Sequence, residues 1–140
     1  MGKQHQRIVV KVGTSSLIYP NGQVNLRTID RLAYTLATLN HQGYEMVLVS
    51  SGAIGVGLAS LGLTKRPAEI AQQQALAAIG QTELMRIYSQ RFLDYQTKVG
   101  QILLTRDVLD YPVSRQHILN TIETLLGDAV VPIINENDPV

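Results

Sequence analysis

Cysteine is absent from the 140 residues, which removes disulfides, thiolate zinc sites and cysteine nucleophiles together. No uninterrupted apolar run is long enough to cross a bilayer. The polar start Met1-Gly2-Lys3-Gln4-His5-Gln6-Arg7 has no apolar h-region. An excess of one charge is missing too: 12 basic residues against 11 acidic ones leave a formal net charge of +1. No basic face for nucleic acid is implied, and the short run Lys65-Arg66-Pro67 reads as a solvated loop. His5, His41 and His117 are scattered without metal-ligand spacing. Ser50 and Ser51 lack the GxSxG nucleophile elbow. Repeats and low-complexity segments are lacking as well. These absences point to a cytoplasmic protein without structural metal, membrane span or nucleic-acid partner.

What is there fits one compact domain. At 140 residues and 45% hydrophobic content, the chain buries about two thirds of its unfolded surface. Short β-branched runs occur at Ile8-Val9-Val10, Met46-Val47-Leu48-Val49, Val99 to Leu104 and Val130 to Ile134. The first, second and fourth are continuously apolar, as in strands covered by helices on both faces. Between them lie helical patterns. The first follows Asn25, a good N-cap, carries Leu26, Ile29, Leu32, Ala33, Leu36 and Leu39 at helical spacing, and stops at Gly43. A second spans Ala53 to Leu61. A third spans Pro67 to Tyr95, with a bend expected at Gly80, and is long enough to supply an oligomer interface. A fourth runs from about Ser114 to Gly127. Tyr19-Pro20-Asn21-Gly22 reads as a turn, fit to close a small hairpin. The alternation predicts an α/β fold: a mainly parallel open sheet with right-handed crossovers and helices on both faces. The chain stops a few residues past a strand, at Asp138-Pro139-Val140, which reads as an incomplete domain.

Ligands of open parallel sheets bind beyond the carboxyl ends of the strands, so the residues after each strand belong together. After the first come Lys11-Val12-Gly13-Thr14-Ser15-Ser16. A lysine ending a central apolar strand is costly unless it meets an anion, although it can also snorkel. Glycine and hydroxyl residues let backbone N–H groups approach phosphate. This is not a P-loop, because the lysine precedes the glycine. After the second strand, Ser50-Ser51-Gly52-Ala53-Ile54-Gly55-Val56-Gly57 passes straight into a helix. That helix start favours a carboxylate or phosphate; alternatively a serine only caps the helix. After the fourth strand, Asn135-Glu136-Asn137-Asp138 either anchors an ammonium, organises magnesium or forms a polar turn. Together the three clusters match phosphoryl transfer, in which the protein mainly positions groups and neutralises charge.

These segments, with Gln74-Ala75-Leu76-Ala77-Ala78-Ile79-Gly80-Gln81 and Gln101-Ile102-Leu103-Leu104-Thr105, closely resemble the amino-acid kinase family over essentially the whole chain. The first two motifs are general to that family. Their combination with Ile134-Asn135-Glu136-Asn137-Asp138 resembles its glutamate-phosphorylating members. The resemblance implies ATP-dependent phosphorylation of the γ-carboxylate of L-glutamate to L-glutamyl 5-phosphate, the first step of proline biosynthesis. It implies Lys11 as the catalytic and ATP-phosphate-binding cation, with Gly13 and Thr14 along the phosphate path. Ser51, Gly52 and Ala53 would hold glutamate, Asp138 its α-ammonium, and Asn135 would lie nearby. It further implies Mg2+ on the phosphates, proline as feedback inhibitor and a homo-oligomer. Residues 1–140 would be the N-terminal, substrate-binding half of the kinase domain, inactive alone, since the family's pattern continues into most of the ATP site. Two alternatives stand beside this. One is another family member, acting on N-acetylglutamate, aspartate or a nucleotide monophosphate; the other is a non-catalytic module that binds glutamate or proline.

Overall fold

Hydrophobic runs too short for helices become strands, and the periodic segments between them become the crossovers. The structure, a computed structural model, describes residues 6–104 and 106–136. The elements follow as β1 (Arg7–Val12), α1 (Thr14–Leu17), α2 (Leu26–His41), β2 (Glu45–Ser50), α3 (Ala53–Leu61), α4 (Ile70–Asp94), β3 (Val99–Leu103), α5 (Arg106–Asp110), α6 (Pro112–Gly127) and β4 (Val131–Asn135). The strands form one sheet in the order β1-β2-β4-β3, with every pairing parallel. The expected α/β sheet is therefore the one observed.

Local chemistry explains the boundaries. Asn25 caps α2, its Oδ1 accepting the Thr28 N–H at 3.1 Å. Ile29, Ala33, Leu36 and Ala37 then form the buried stripe. Gly43, at φ +97°, reverses the chain into β2 in a conformation that a side chain disfavours. The Tyr19–Gly22 turn closes a small antiparallel bridge between Ile18 and Val24, as its sequence suggested.

Register sorts the strand side chains onto two faces. Ile8 and Val10 of β1, Met46 and Leu48 of β2, and Val131 and Ile133 of β4 join α2, α3 and α4 in the main core, with Leu36, Leu84, Tyr88 and Phe92. Each of the fully buried side chains among them, such as Met46, Leu48 and Phe92, contributes about 1.5–3 kcal/mol, and the half-buried Ile8 and Val10 less. On the other face α6 seats its Leu125 methyls against Gly100 of β3, where a Cβ would lie only 3.0 Å from them. Arg7 bridges Glu45 and Glu123 there, tying β1 and β2 to α6.

Four expectations need correction. β1 is an edge strand, not a doubly covered one: Arg7, Val9 and Lys11 on its α6-side face are exposed. β2 and β4, by contrast, do have both faces largely buried. α4 runs unbroken through Gly80 and starts at Ile70 rather than at Pro67. Gly80 is a contact point: a Cβ there would run into the Ala53 carbonyl and come within 2.6 Å of Gly57 N. Finally, α6 starts earlier than Ser114, with Pro112 in its first turn; the short helices α1 and α5 had no counterpart in the sequence reading.

Candidate functional site

A parallel ladder ends with its carbonyls and following loops on one edge, and here three ends coincide. Val12 pairs with Ser50, and Ser50 with Asn135, so the tips of β1, β2 and β4 stand in one row. Pairing extends one residue further: the Ser51 N–H donates to the Val12 carbonyl at 3.1 Å and the Glu136 N–H to the Ser50 carbonyl at 2.9 Å. The three clusters read from the sequence are thus neighbours.

At the first tip, Lys11 is exposed, and its Nζ lies 3.2 Å from Glu136 Oε1. The anion that sequence reasoning demanded exists, but on an open edge rather than inside a buried strand. Gly13 leads into α1, whose Thr14 Oγ1 sits 3.3 Å from Ser51 Oγ. Ser51 in turn donates to the Val12 carbonyl at 3.4 Å. These hydroxyls tie the first and second tips together on the side where α3 begins.

Gly52 turns the chain from β2 into α3 at φ +100°, a left-handed conformation that favours glycine. Its Cα is backed by Leu17, whose Cδ1 would lie 3.1 Å from an added Cβ. Among the described residues no side chain caps α3. The N–H groups of its first turn and the positive end of its dipole therefore remain for an anion. They open on a cavity of about 250 Å³ lined by Thr14, Ile18, Gly52 through Gly55, Leu58, Arg66 and Glu136.

The third tip carries an unsatisfied group. Asn135 is only 5% exposed, yet neither its Nδ2 nor its Oδ1 finds a hydrogen-bond partner among the described residues. Buried amides are normally paired, so this one is suited to a ligand's polar atoms. Ser50 beside it bonds Tyr88 Oη at 2.9 Å. Burial pushes the Tyr88 phenol up to about 12, and its bond to Ser50 opposes that rise less strongly.

Lys11, Gly13, Thr14, Ser51, Gly52, Ala53 and Asn135 are thus brought to one edge of the sheet. Asp138 lies outside the described residues. No group of three His, Cys, Asp or Glu residues suited to a metal occurs among the described residues. With Glu136 the one carboxylate at this edge among them, a divalent ion fits here as a companion of ligand phosphates rather than in a protein cage. His41 is exposed and hydrogen-bonds Thr97 at 3.1 Å, away from this edge.

Sequence reasoning missed two participants, Arg66 and Tyr88, and the pairing of a third. Arg66 belongs to a run taken as solvated, but the loop after α3 returns it to the cavity wall, where its Nη2 donates to Gln73 Oε1 at 3.3 Å. Glu136 was one of four polar candidates and turns out to be the partner of Lys11. Tyr88 was hidden in an apolar stripe, where its polar tip at the Leu84-Tyr88-Phe92 spacing was the available signal.

Comparison with known proteins adds the following. The family model described as the amino acid kinase family matches residues 6–140. The chain is 60% identical over 138 residues to the glutamate 5-kinase of Enterococcus faecalis, covering 99% of this chain and 51% of that protein. It is 62% identical over 135 residues to the glutamate 5-kinase of Ligilactobacillus salivarius, covering 96% and 51% respectively. The chain therefore spans about half the length of the curated relatives it matches. Among solved structures, isopentenyl phosphate kinase superimposes with a TM-score of 0.62 at 12% identity, over 94% of this chain and 57% of that one. That likeness is one of fold.

Proposed function

This chain belongs to the amino acid kinase family, and we propose that it is the N-terminal, substrate-binding half of a kinase for the γ-carboxylate of L-glutamate. The product would be L-glutamyl 5-phosphate, the first intermediate of proline biosynthesis. The observation that carries the reading is the single row Val12–Ser50–Asn135, which gathers a cation, an uncapped helix N-terminus and an unpaired amide at one edge. The relatives at about 60% identity are glutamate 5-kinases, which supports glutamate as the substrate.

In this reading the Lys11 ammonium exchanges Glu136 for a phosphate oxygen and stabilises charge as the phosphoryl group moves. Gly13 and Thr14 border its path. The Ser51 hydroxyl and the N–H groups of Gly52 and Ala53 hold the substrate, Asn135 binds a polar atom of it, and Asp138 takes the α-ammonium. The attacking carboxylate needs no general base, because a glutamate side chain is ionised far below neutral pH. ATP is the donor, and Mg2+ accompanies its phosphates to screen their charge. Proline as inhibitor, a homo-oligomeric state and a cytoplasmic location complete the proposal. No described helix is long and apolar enough to cross a membrane.

The test is a substrate panel on the full chain as its gene encodes it: L-glutamate, N-acetylglutamate, aspartate and nucleotide monophosphates, each with ATP and Mg2+. Glutamate is the expected acceptor. Lys11→Ala should lower kcat by roughly a hundredfold or more, whereas Asp138→Ala should chiefly raise KM for glutamate. Preference for another acceptor, or ordinary kinetics in both variants, refutes the assignment; glutamate binding by calorimetry with no transfer would make the protein a binding module.

A further inference from the structure

Beneath the row of strand tips lies a polar pair that none of these roles uses. Tyr88 of α4 is fully buried, and its phenol oxygen stands 2.9 Å from the hydroxyl oxygen of buried Ser50. Ser50 donates its own hydrogen to the Ser51 carbonyl, 3.0 Å away. A serine hydroxyl has one hydrogen to give, so the phenol is the donor to Ser50. The direction is therefore Tyr88 O–H to Ser50 O–H to Ser51 carbonyl, a relay whose members polarise one another. It ends on the peptide that enters α3.

The neighbour of this relay is Asn135. Ser50 and Asn135 are partners in adjacent parallel strands, so their Cα atoms are about 4.8 Å apart and their side chains share a face. An asparagine amide easily spans that gap. Yet Asn135 makes no bond to the Ser50 oxygen, or to any other described group, although it is buried. The bonds to Tyr88 and Ser51 hold the Ser50 hydroxyl in one rotamer, with its hydrogen given to the Ser51 carbonyl rather than to Asn135.

We infer that Tyr88 is a positioning residue: by holding Ser50 it keeps the Asn135 amide open for the substrate and fixes the Ser51 carbonyl at the mouth of α3. Its kinetic consequence rests on the glutamate-kinase reading; its structural consequence does not. Tyr88→Phe keeps the ring and removes only the donor. Released from that rotamer, the Ser50 hydroxyl turns to Asn135 and bonds its amide, so the amide is occupied before the substrate arrives. Binding must break that bond, and preorganisation is lost.

Two readouts test this in the full chain as its gene encodes it. Tyr88→Phe should raise KM for L-glutamate roughly tenfold, as expected for one competing hydrogen bond, with kcat changed by less than about twofold. The double variant Tyr88→Phe/Ser50→Ala has no hydroxyl left to compete, so its KM should be below that of Tyr88→Phe alone. A merely structural tyrosine would lower the melting temperature and leave KM unmoved. Without any ligand, the Asn135 side-chain amide resonances should shift and exchange more slowly in Tyr88→Phe and return in the double variant. Ser50→Ala alone should leave them in place. If glutamate proves not to be the substrate, the function reading falls and these resonances still decide the inference. Resonances unmoved in Tyr88→Phe, or moved in Ser50→Ala, overturn it.

Discussion

A methyl group added at Gly80 is the sharpest probe of how the site is held. Glycine inside a long helix is ordinarily a weakness, costing roughly 0.5–1 kcal/mol relative to alanine, so Gly80→Ala would stabilise α4 if Gly80 were free. It is not free. The new Cβ would coincide with the Ala53 carbonyl and lie 2.7 Å from its carbon and 2.6 Å from Gly57 N. These are backbone atoms of α3 and cannot swing aside as a side-chain tip can. Relief requires α3 and α4 to part by more than about 1 Å, and a gap of 0.5–1 Å already forfeits a quarter to a half of each dispersion contact. Ala53, Ile54, Leu76 and Ala77 form the small core at that crossing, and they lose packing together. Overpacking of this kind costs typically 1–3 kcal/mol, and the rigid α3 backbone places Gly80→Ala at about 3 kcal/mol. Urea unfolding followed by circular dichroism measures it, with Gly127→Ala as the control. Gly127 ends α6 with nothing within 4 Å of a built Cβ, so that variant should gain up to about 0.5–1 kcal/mol. A Gly80→Ala midpoint equal to or above the parent would refute the close-crossing argument.

Three further outcomes are expected. Ala129 follows α6 at φ +58°, and the Val130 N–H to Leu125 carbonyl bond of 2.9 Å closes the helix there; Ala129→Gly should stabilise by about 1 kcal/mol, read from the same unfolding curves, and any loss counts against it. The Tyr88 phenol is raised by burial to about 12 from about 10 when unfolded. The folded state then holds the proton more tightly, so this contribution is complete below pH 10 and is lost as pH rises through 12, by up to about 3 kcal/mol. Tyr88→Phe should lack that alkaline decline, and parallel curves for parent and variant between pH 9 and 12 would rule it out. Purified as 140 residues, the chain should turn over no ATP in a coupled assay with glutamate and Mg2+; robust turnover would show that the site is complete without a second half.

The parts of this molecule legible in its sequence are those governed by neighbours along the chain. Asn25 caps and Gly43 stops α2 because capping and left-handed φ are decided within a turn. Ala53–Leu61 was readable for the same reason, with a Gly52 that only a sharp strand-to-helix turn needs. The gathering of Lys11, Ser51 and Asn135 was legible one step less directly, because parallel strands joined by right-handed crossovers place all their carboxyl ends on one edge. What escaped is set by contacts between distant segments. The run Ile8-Val9-Val10 is apolar enough for a central strand, yet Val9 is 60% exposed, on a strand that among the described residues pairs on one side only. Gly80 read as a bend because sequence shows an absent side chain but not what fills the space, here the Ala53 carbonyl 27 positions earlier. Tyr88 and Ser50 are 38 positions apart, and nothing in the motif that holds Ser50 points to Tyr88. Their pairing follows only once α4 packs into the main core beside the strands, which makes the support of the site a property of packing where its chemistry is a property of sequence.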